Sequence, residues 1–490
     1  MKYHIWTIGC QMNTADSLHL GAALEAFGCE HTADVHQADV IVLNTCVVRQ
    51  SAEDRAAGFL WSLKPLKERR PATVIALMGC MVGVKGNSRL QDTFRHVDVL
   101  VPPGQPAALI DYLRQANLAP LPPHEPLRLP AAGGCGTQER PRTRPPRGQG
   151  GGEGAEHPLA RLTSMERGLG AASRVDLNVL PLPARGRLIS APVPVLLGCN
   201  HVCSYCIIPA RRGRERSRPM EEVLSEVRAL AMHRVREVVL LGQIVDRYGL
   251  DLGPGAPRLP DLLAAVSDVQ GIARVRFLTS HPNYFDGPLI EAIRGLPKVC
   301  EHIEVPMQAG DDDILRRMRR EHTADDYRRL IARIREQLPG CSIATDVIVG
   351  FPGETERQFQ ATLDLLSELR MDVCHVAVYS SRPGTLAAKS MPDDVPPLEK
   401  KRRLDAVNAL QEQIAADINL RLLGQRVQIL VEGKQKGRWK GRTRTNKLVF
   451  FEDEDGARAG WRGQLVQVMV TWTGPWSMQA MLEHGSGSEE

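Results

Sequence analysis

The sequence lacks long apolar runs, an export signal and a strong charge of either sign. No run approaches the ~20 apolar residues that a membrane-spanning helix needs, so we expect no membrane span. The chain does not open with a basic region and a long apolar stretch, so we expect no signal peptide and a cytoplasmic location. The 62 lysines and arginines exceed the 57 aspartates and glutamates only slightly, for a net charge of +5. A nucleic-acid site would therefore have to be a local basic patch.

The sequence contains an odd number of cysteines. Eleven cysteines occur in 490 residues without an export signal, which makes disulfides the poorer interpretation. Ligation of a metal ion or a cluster is the better one. Hydrophobic residues at 43% and charged residues at 24% are typical of globular domains and exclude wholesale disorder.

Composition divides the chain, whose length suggests about three domains. From 119 to 158, proline and glycine occupy 17 of 40 positions, and no apolar periodicity is present. Such a stretch buries too little surface to offset its ordering entropy. We therefore predict a disordered linker over 119–185, after a domain of residues 1–118 and before domains of residues 186–423 and 424–484.

The segment before the linker alternates between strand-like and helix-like patterns. Strands are predicted at 3–8, 40–43 and 73–78, with helices at 14–27 and from the second strand to about residue 63. This alternation predicts an α/β fold in which a parallel sheet carries helices on both faces. Ligands of such sheets bind beyond the carboxyl ends of the strands.

Three cysteines, Cys10, Cys46 and Cys80, follow these predicted strands. Three loops that meet at one sheet edge bring their thiolates together without close sequence spacing. Three thiolates suit a [4Fe–4S] cluster whose fourth iron stays open. The alternative is that each is an ordinary buried cysteine.

A second cysteine triad follows the apolar strand 193–196. Cys199, Cys203 and Cys206 form the pattern C-x-x-x-C-x-x-C. Three thiolates this close can bind three irons of one cubane and leave the fourth iron open. A zinc site, the alternative, would need a fourth protein ligand, and His201 is a poor candidate on so short a tether.

The region after this triad keeps alternating between strands and helices. Predicted strands at 237–241, 274–278, 304–307 and 345–349 each end in polar residues or glycine. The pattern predicts a partial (β/α) barrel, in which polar groups at the carboxyl ends of the strands face the active site.

The cysteine pattern, with Tyr205 before its last cysteine, is similar to that of radical S-adenosylmethionine enzymes. The longer string from Gly198 to Pro219 resembles the methylthiotransferases of that superfamily, whose domain order nearly the whole chain outside the linker follows. The resemblance implies a radical mechanism with two [4Fe–4S] clusters, two molecules of S-adenosylmethionine and an electron donor of flavodoxin or ferredoxin type. It implies no obligate protein partner.

The resemblance also implies a substrate and roles for residues. The most similar members modify C2 of N(6)-isopentenyl-adenosine beside the anticodon in tRNA, and other members act on threonylcarbamoyl-adenosine in tRNA or on a ribosomal-protein aspartate. The 199/203/206 triad would activate S-adenosylmethionine, and the 10/46/80 triad would carry the sulfur. Gly242-Gln243-Ile244-Val245 departs from the family's usual pattern, in which asparagine follows the glutamine. The implied cofactor contacts are Tyr205, Gln308, Asp346 and Gly350.

The C-terminal region changes to short β-rich runs and carries the local basic patch. Its basic residues fall at nearly every second position, so one face of a hairpin would present a positive stripe, interrupted by Trp439 as a stacking surface. The string from Gly441 to Lys447 resembles the TRAM domain, a small RNA-binding β-barrel. The alternative is an ordinary solvated strand face. The predicted RNA-binding residues are Lys434, Lys436, Arg438, Lys440, Arg442 and Arg444.

The arginines from Arg316 to Arg320 are not predicted to contact RNA. We expect them to lie on a solvated face of a helix over 312–320.

One alternative from another class of protein stays open. A non-catalytic RNA-binding protein with structural clusters would carry the same cysteines.

Overall fold

The computed structural model describes residues 1–48, 50–85, 88–116, 118, 180–453 and 460–482. Most of the predicted linker, residues 119–179, lies outside the described residues. The linker prediction extends too far at its C-terminal end. Leu180 is buried, and the backbone N–H of Leu182 donates to the Glu25 carboxylate at 2.8 Å, so this end is tied to the first domain.

The N-terminal domain is the parallel α/β unit that the alternation predicted. Its strands pair in the order β2-β1-β3-β4-β5, and every pairing is parallel. The first helix begins directly after Cys10, and the second continues beyond its predicted end, through Pro65. The elements are β1 (Lys2–Thr7), α1 (Gln11–Ala26), β2 (Glu30–His31), β3 (Val40–Thr45), α2 (Gln50–Arg69), β4 (Val74–Gly79), α3 (Ser88–Thr93), β5 (Val99–Val101) and α4 (Ala107–Gln115).

Helices cover both faces of this sheet, because β3 and β4 are buried at every position and are apolar apart from Asn44 and Thr45 at the end of β3. Along β3, Ile41 and Leu43 belong to the core that includes Leu60 of α2, whereas Val40 and Val42 belong to the core on the α1 side. Continuous burial on both faces is typical of a parallel sheet.

The central domain repeats strand and helix in a longer series. Short 3₁₀ turns lie at Leu182–Ala184, Val245–Arg247 and Leu250–Leu252. Its elements are β6 (Ser190–Pro194), β7 (Leu196–Leu197), α5 (Ile208–Arg212), β8 (Arg216–Ser217), α6 (Met220–Met232), β9 (Glu237–Leu241), α7 (Leu259–Ser267), β10 (Arg274–Leu278), α8 (Gly287–Gly295), β11 (His302–Glu304), α9 (Asp312–Arg317), α10 (Ala324–Gln337), β12 (Ser342–Val349), α11 (Glu356–Leu369), β13 (Val373–Val378), α12 (Leu386–Ser390) and α13 (Pro397–Leu420).

These strands form the predicted partial barrel. Strands β6, β9 and β10 make one parallel sheet, and β11, β12 and β13 make another. Backbone hydrogen bonds at Val275 join the two sheets, since its N–H donates to the carbonyl of Lys298 and its carbonyl accepts from Cys300. One core, which includes Phe277, Ile303 and Val347, fills the space between the sheets and their helices.

The C-terminal domain is a small closed β-barrel with strand order β14-β15-β16-β18-β17. Its interior is apolar and includes Val431, Phe451 and Val468. This confirms the predicted fold class of two parallel α/β units and a small β-barrel. The strands are β14 (Arg426–Gln435), β15 (Arg438–Thr443), β16 (Leu448–Glu452), β17 (Leu465–Thr473) and β18 (Met478–Leu482).

Arginine side chains dock this barrel onto the central domain. Arg276, buried beside Glu237 at 2.8 Å, donates to the carbonyls of Thr443 and Arg444. Arg444 in turn forms an ion pair with Glu301 and donates to the carbonyl of Val299. The prediction that Arg444 binds RNA therefore conflicts with the structure, in which its guanidinium is committed to the domain interface.

The positive stripe predicted for one face of a hairpin, here formed by β14 and β15, is only partly present. Trp439 packs in the barrel core, so it offers no stacking surface to RNA. Strand alternation explains this placement. Successive side chains point to opposite faces of a strand, so Arg438 and Lys440 point outward and Trp439, between them, points into the barrel. Arg442 forms an ion pair with Glu432 at 3.1 Å, and the exposed Arg438 forms one with Glu452 at 3.0 Å, which compromises the predicted role of both. Lys434 and Lys436 are exposed.

Of the helices in the described ranges, none combines the length and apolarity required to cross a membrane.

Candidate active site

One cavity of about 670 Å³ brings both cysteine triads together. Its wall takes residues from the N-terminal domain, from the carboxyl ends of central strands and from Asn446 of the barrel. The two sequence-predicted triads therefore face a common space. The cysteines that line it are Cys10, Cys46, Cys80, Cys199, Cys203 and Cys206.

Tight turns place the N-terminal triad at the sheet edge. Gly9 has φ +146°, and a Cβ there would lie 2.6 Å from the side-chain oxygen of Asn13. Gly79 has φ +98°, and its Cβ would lie 2.5 Å from the carbonyl oxygen of Thr45. Glycine is thus required just before Cys10 and Cys80, where the chain leaves its strand and turns toward the cavity.

A buried amide pair that the sequence analysis missed supports this edge. Asn13 donates to Asn44 Oδ1 at 2.8 Å and to the Thr45 carbonyl at 3.0 Å. The Cys10 thiol donates to Asn13 Oδ1 at 3.3 Å. Asn13 lies three residues after Cys10 and Asn44 two before Cys46, and these positions were the available sequence signal. Both amides are fully buried in the structure.

The central triad lies on a loop whose two ends are joined by a short antiparallel pair of strands. Strands β7 and β8 pair antiparallel on either side of residues 198–215. Gly198 has φ +71°, and a Cβ there would lie 2.0 Å from the Arg214 carbonyl oxygen. The Cys199 N–H donates to the Gly213 carbonyl at 3.1 Å. The cysteine spacing is therefore held by backbone contacts rather than by helix periodicity.

The donor set of both triads fits cubane clusters. Across the described ranges, no three His, Cys, Asp or Glu side chains are grouped to hold a single metal ion. A cubane suits separated thiols, since each binds a different iron. Burial raises the pKa of Cys80 and of Cys199 to about 11 and of Cys206 to about 12. Binding of iron at these thiols would therefore release protons from them.

Unpartnered polar atoms beside the central triad fit a charged amino-acid group. Gln308 has φ +72°, and its buried Oε1 accepts no hydrogen bond from the described residues. Arg320 donates to Cys203 Sγ at 3.6 Å, while its Nε and Nη2 have no partner there. A ligand with a carboxylate and an ammonium group would satisfy both side chains.

The predicted cofactor contacts divide into three that line the cavity and one that does not. Tyr205, Gln308 and Asp346 line it. Gly350 does not, because the side chain of Lys400 occupies the space in front of it, with Cγ 2.4 Å from a Cβ built on Gly350. Its φ of +69° fits close packing against Lys400, and the structure does not place Gly350 in the wall of the cavity as the prediction expects.

Arg320 is the main residue that the sequence analysis misplaced. Helix α9 ends at Arg317, and Arg319 follows in a left-handed conformation with φ +56°. This turn brings Arg320 inward, where it is 9% exposed and lines the cavity. Arg317 also departs from the predicted solvated face, because it donates to the carbonyls of Pro352 and Gly353.

Two groups in the wall have strongly shifted pKa values. Burial, and then the carboxylate of Asp346, raise the pKa of Glu304 to about 7. Burial, and then the charge of Arg320, lower the pKa of His281 to about 2. His281 is therefore neutral at physiological pH, and Glu304 is protonated in a large fraction of molecules.

Comparisons with known proteins agree with this geometry. Residues 193–366 match the Radical SAM superfamily, and residues 2–102 match Uncharacterized protein family UPF0004. A solved radical S-adenosylmethionine methyltransferase, TsrM from Kitasatospora setae, has the same fold in part. The TM-score is 0.52 at 15% identity, over 79% of this chain and 74% of the other. Fold and site thus define a radical S-adenosylmethionine protein with an additional N-terminal cysteine site.

Curated relatives narrow the class to one family. The tRNA-2-methylthio-N(6)-dimethylallyladenosine synthase of Roseiflexus sp. (strain RS-1) is 43% identical over 98% of this chain and 89% of its own length. The protein of the same name from Chloroflexus aurantiacus is 42% identical over 98% and 91%. This chain belongs to the tRNA-2-methylthio-N(6)-dimethylallyladenosine synthase family.

The pKa of Glu304 predicts how stability changes with pH. Unfolded glutamate has a pKa of about 4.3, so between that pH and about 7 only the native protein holds this proton. Glu304 therefore makes the protein less stable as pH rises through this window. We expect Glu304→Gln to gain stability relative to the parent from pH 5 to 8, by about 1–3 kcal/mol, in urea unfolding without S-adenosylmethionine.

Glu301→Gln is the control, because Glu301 should change stability with pH in the opposite direction. Burial raises the pKa of Glu301, but hydrogen bonds from Arg444 outweigh it and lower the pKa below its usual value. The parent should therefore gain stability over this variant as pH rises above the lowered pKa. Equal pH profiles for Glu304→Gln and the parent would contradict the assignment of Glu304.

Proposed function

We propose that this protein transfers a methylthio group to C2 of N(6)-isopentenyl-adenosine next to the anticodon in tRNA, in the cytoplasm. The single observation that carries the proposal is the common cavity of the two cysteine triads. A reaction that removes hydrogen from a carbon and then adds sulfur to it needs both functions within reach of one atom. Family membership supplies the substrate class.

Each triad would hold one [4Fe–4S] cluster, and S-adenosylmethionine would bind at the central one. Together these groups would supply one-electron cleavage of the sulfonium, hydrogen removal from an unactivated carbon and an open iron for sulfur. A second molecule of S-adenosylmethionine would supply the methyl group. We propose an electron donor of flavodoxin or ferredoxin type. The residues that would hold the clusters are Cys199, Cys203 and Cys206, and Cys10, Cys46 and Cys80.

The polar residues of the cavity would bind and orient the cofactor and the base. Arg320 has two N–H groups for a carboxylate, and Gln308 Oε1 is an acceptor for an ammonium group. Tyr205 would pack against the adenine of the cofactor, and Asp346 would bind its polar groups. Neutral His281 and protonated Glu304 can donate hydrogen bonds to the substrate without adding charge.

The outer face of the C-terminal barrel would bind tRNA phosphates. Lys434, Lys436 and Arg438 are exposed, and Lys440 lies on the same face as Arg438 by strand alternation. Asn446 of the same domain lines the cavity and lies 3.3 Å from His302 Nε2. The barrel thus connects an RNA-binding face to the space in which the base would react.

The function is tested by anaerobic reconstitution with iron, sulfide, dithionite and S-adenosylmethionine. Substrates are tRNAs carrying N(6)-isopentenyl-adenosine or threonylcarbamoyl-adenosine, and a ribosomal protein, with products identified by mass spectrometry. We expect methylthiolation of the isopentenyl-adenosine tRNA alone. Modification of either other substrate would replace the proposed one, and no 5′-deoxyadenosine release from cluster-loaded protein would favour a non-catalytic RNA-binding protein.

Substitution of each triad separates the two cluster roles. Reconstituted protein should hold about eight irons, and alanine at Cys10, Cys46 and Cys80 should leave about four. That variant should still release 5′-deoxyadenosine but should form no methylthio product. Alanine at Cys199, Cys203 and Cys206 should also leave about four irons and should abolish both reactions. Sulfur insertion by the N-terminal variant would contradict the role of that triad.

Removal of the basic residues on this face should weaken tRNA binding through charge. With Lys434, Lys436, Arg438 and Lys440 changed to alanine, the slope of log K against log salt should fall by ~0.7–0.9 per lost phosphate contact. The measurement is a filter-binding or anisotropy titration at several salt concentrations. An unchanged affinity and slope would mean that this face is only solvated. The matched control removes four exposed cations elsewhere, Lys64, Arg114, Arg228 and Arg329.

A further inference from the structure

A short arm of the central domain reaches into the N-terminal domain directly after Cys206. It consists of residues 207–213, which include helix α5. Ile207 packs in the N-terminal core that contains Cys80, and the carbonyl of Arg211 accepts from the Val84 N–H at 2.9 Å. The arm therefore lies between the last ligand of one triad and the last ligand of the other.

Arg212 in this arm contacts a predicted cluster ligand. Its Nε donates to Cys80 Sγ at 3.3 Å, and its Nη2 donates to Asp16 Oδ2 at 3.1 Å. Only 4% of the Arg212 side chain and 2% of the Asp16 side chain are exposed. A buried guanidinium is costly unless it is paired, and Asp16 supplies the pairing.

A purely structural ion pair would need Asp16 but not the thiol. The hydrogen bond from Nε places a positive charge on the sulfur itself. Hydrogen bonds to the sulfurs and local net charge are two properties that set the reduction potential of an iron–sulfur cluster. In a site this buried, water screens neither of them.

We propose that Arg212 is a positioning residue that fixes Cys80 and makes the N-terminal cluster easier to reduce. The inference rests on the proposed function, because it needs a cluster at Cys10, Cys46 and Cys80. Asp16 acts in the opposite direction, since its negative charge offsets part of the charge of Arg212. We therefore expect substitutions of Arg212 and of Asp16 to shift the reduction potential of the N-terminal cluster in opposite directions.

The test is a redox titration of the full-length, cluster-loaded protein with dithionite and mediators, followed by electron paramagnetic resonance. Full-length protein with alanine at Cys199, Cys203 and Cys206 supplies the reference spectrum of the N-terminal cluster. Arg212→Gln should lower its midpoint potential, Arg212→Lys should lower it less, and Asp16→Asn should raise it. These directions follow from removing a positive or a negative charge beside the sulfur.

Arg276→Gln is the matched control. Arg276 is another buried arginine of the central domain, where it pairs with Glu237 at 2.8 Å and donates to the Thr443 carbonyl of the barrel at 2.7 Å. It donates to no thiol among the contacts of the described residues. The midpoint potential of this variant should equal that of the parent.

Three outcomes decide the matter. Shifts of the same sign in Arg212→Gln and Asp16→Asn, or no shift in either with iron retained, would overturn the inference and leave a structural ion pair. If Arg212→Gln loses its iron or unfolds, Asp16→Asn alone decides, with a raised potential in support and an unchanged one against. If the parent itself holds no iron at the N-terminal triad, the proposed function fails instead.

Discussion

Charged groups buried between the N-terminal and central domains hold the six thiols around one cavity. Arg212 binds Asp16, His19 of α1 lies 2.9 Å from Glu226 of α6, and Arg382 binds Glu53. Each pair joins one domain to the other, and removal of one partner from a buried pair leaves an uncompensated charge. The geometry of the two triads therefore depends on these contacts as much as on the loops that carry the cysteines.

The barrel adds a second interface of the same kind. Arg274 and Arg276 extend from β10 to carbonyl groups of the barrel, and Lys447 forms an ion pair with Asp372 at 2.7 Å. Basic residues that look like an RNA-binding patch in the sequence thus serve two purposes. Arg444 and Lys447, which follow β15, dock the barrel onto the central domain, whereas Arg442 pairs with Glu432 within the barrel domain. The basic residues near the β14–β15 turn are exposed.

Sequence patterns predicted the features that depend on local periodicity. The alternation of strand-like and helix-like runs predicted the parallel sheet, and strand ends placed Cys10, Cys46 and Cys80 at one edge. Trp439 was within reach of the same reasoning, since alternation with Arg438 and Lys440 requires it to face inward. Gly350 and Arg320 were not, because one depends on Lys400, fifty residues away, and the other on a left-handed turn at Arg319.

The central claim is that the two cluster sites face one cavity. Electron paramagnetic resonance of the protein with both clusters reduced tests it most directly, because neighbouring paramagnetic clusters broaden and split each other's signals. The reference is the sum of the spectra of the two triple-alanine variants, each with one cluster. A spectrum that differs from this sum by magnetic interaction is predicted, and a spectrum equal to the sum would contradict the account.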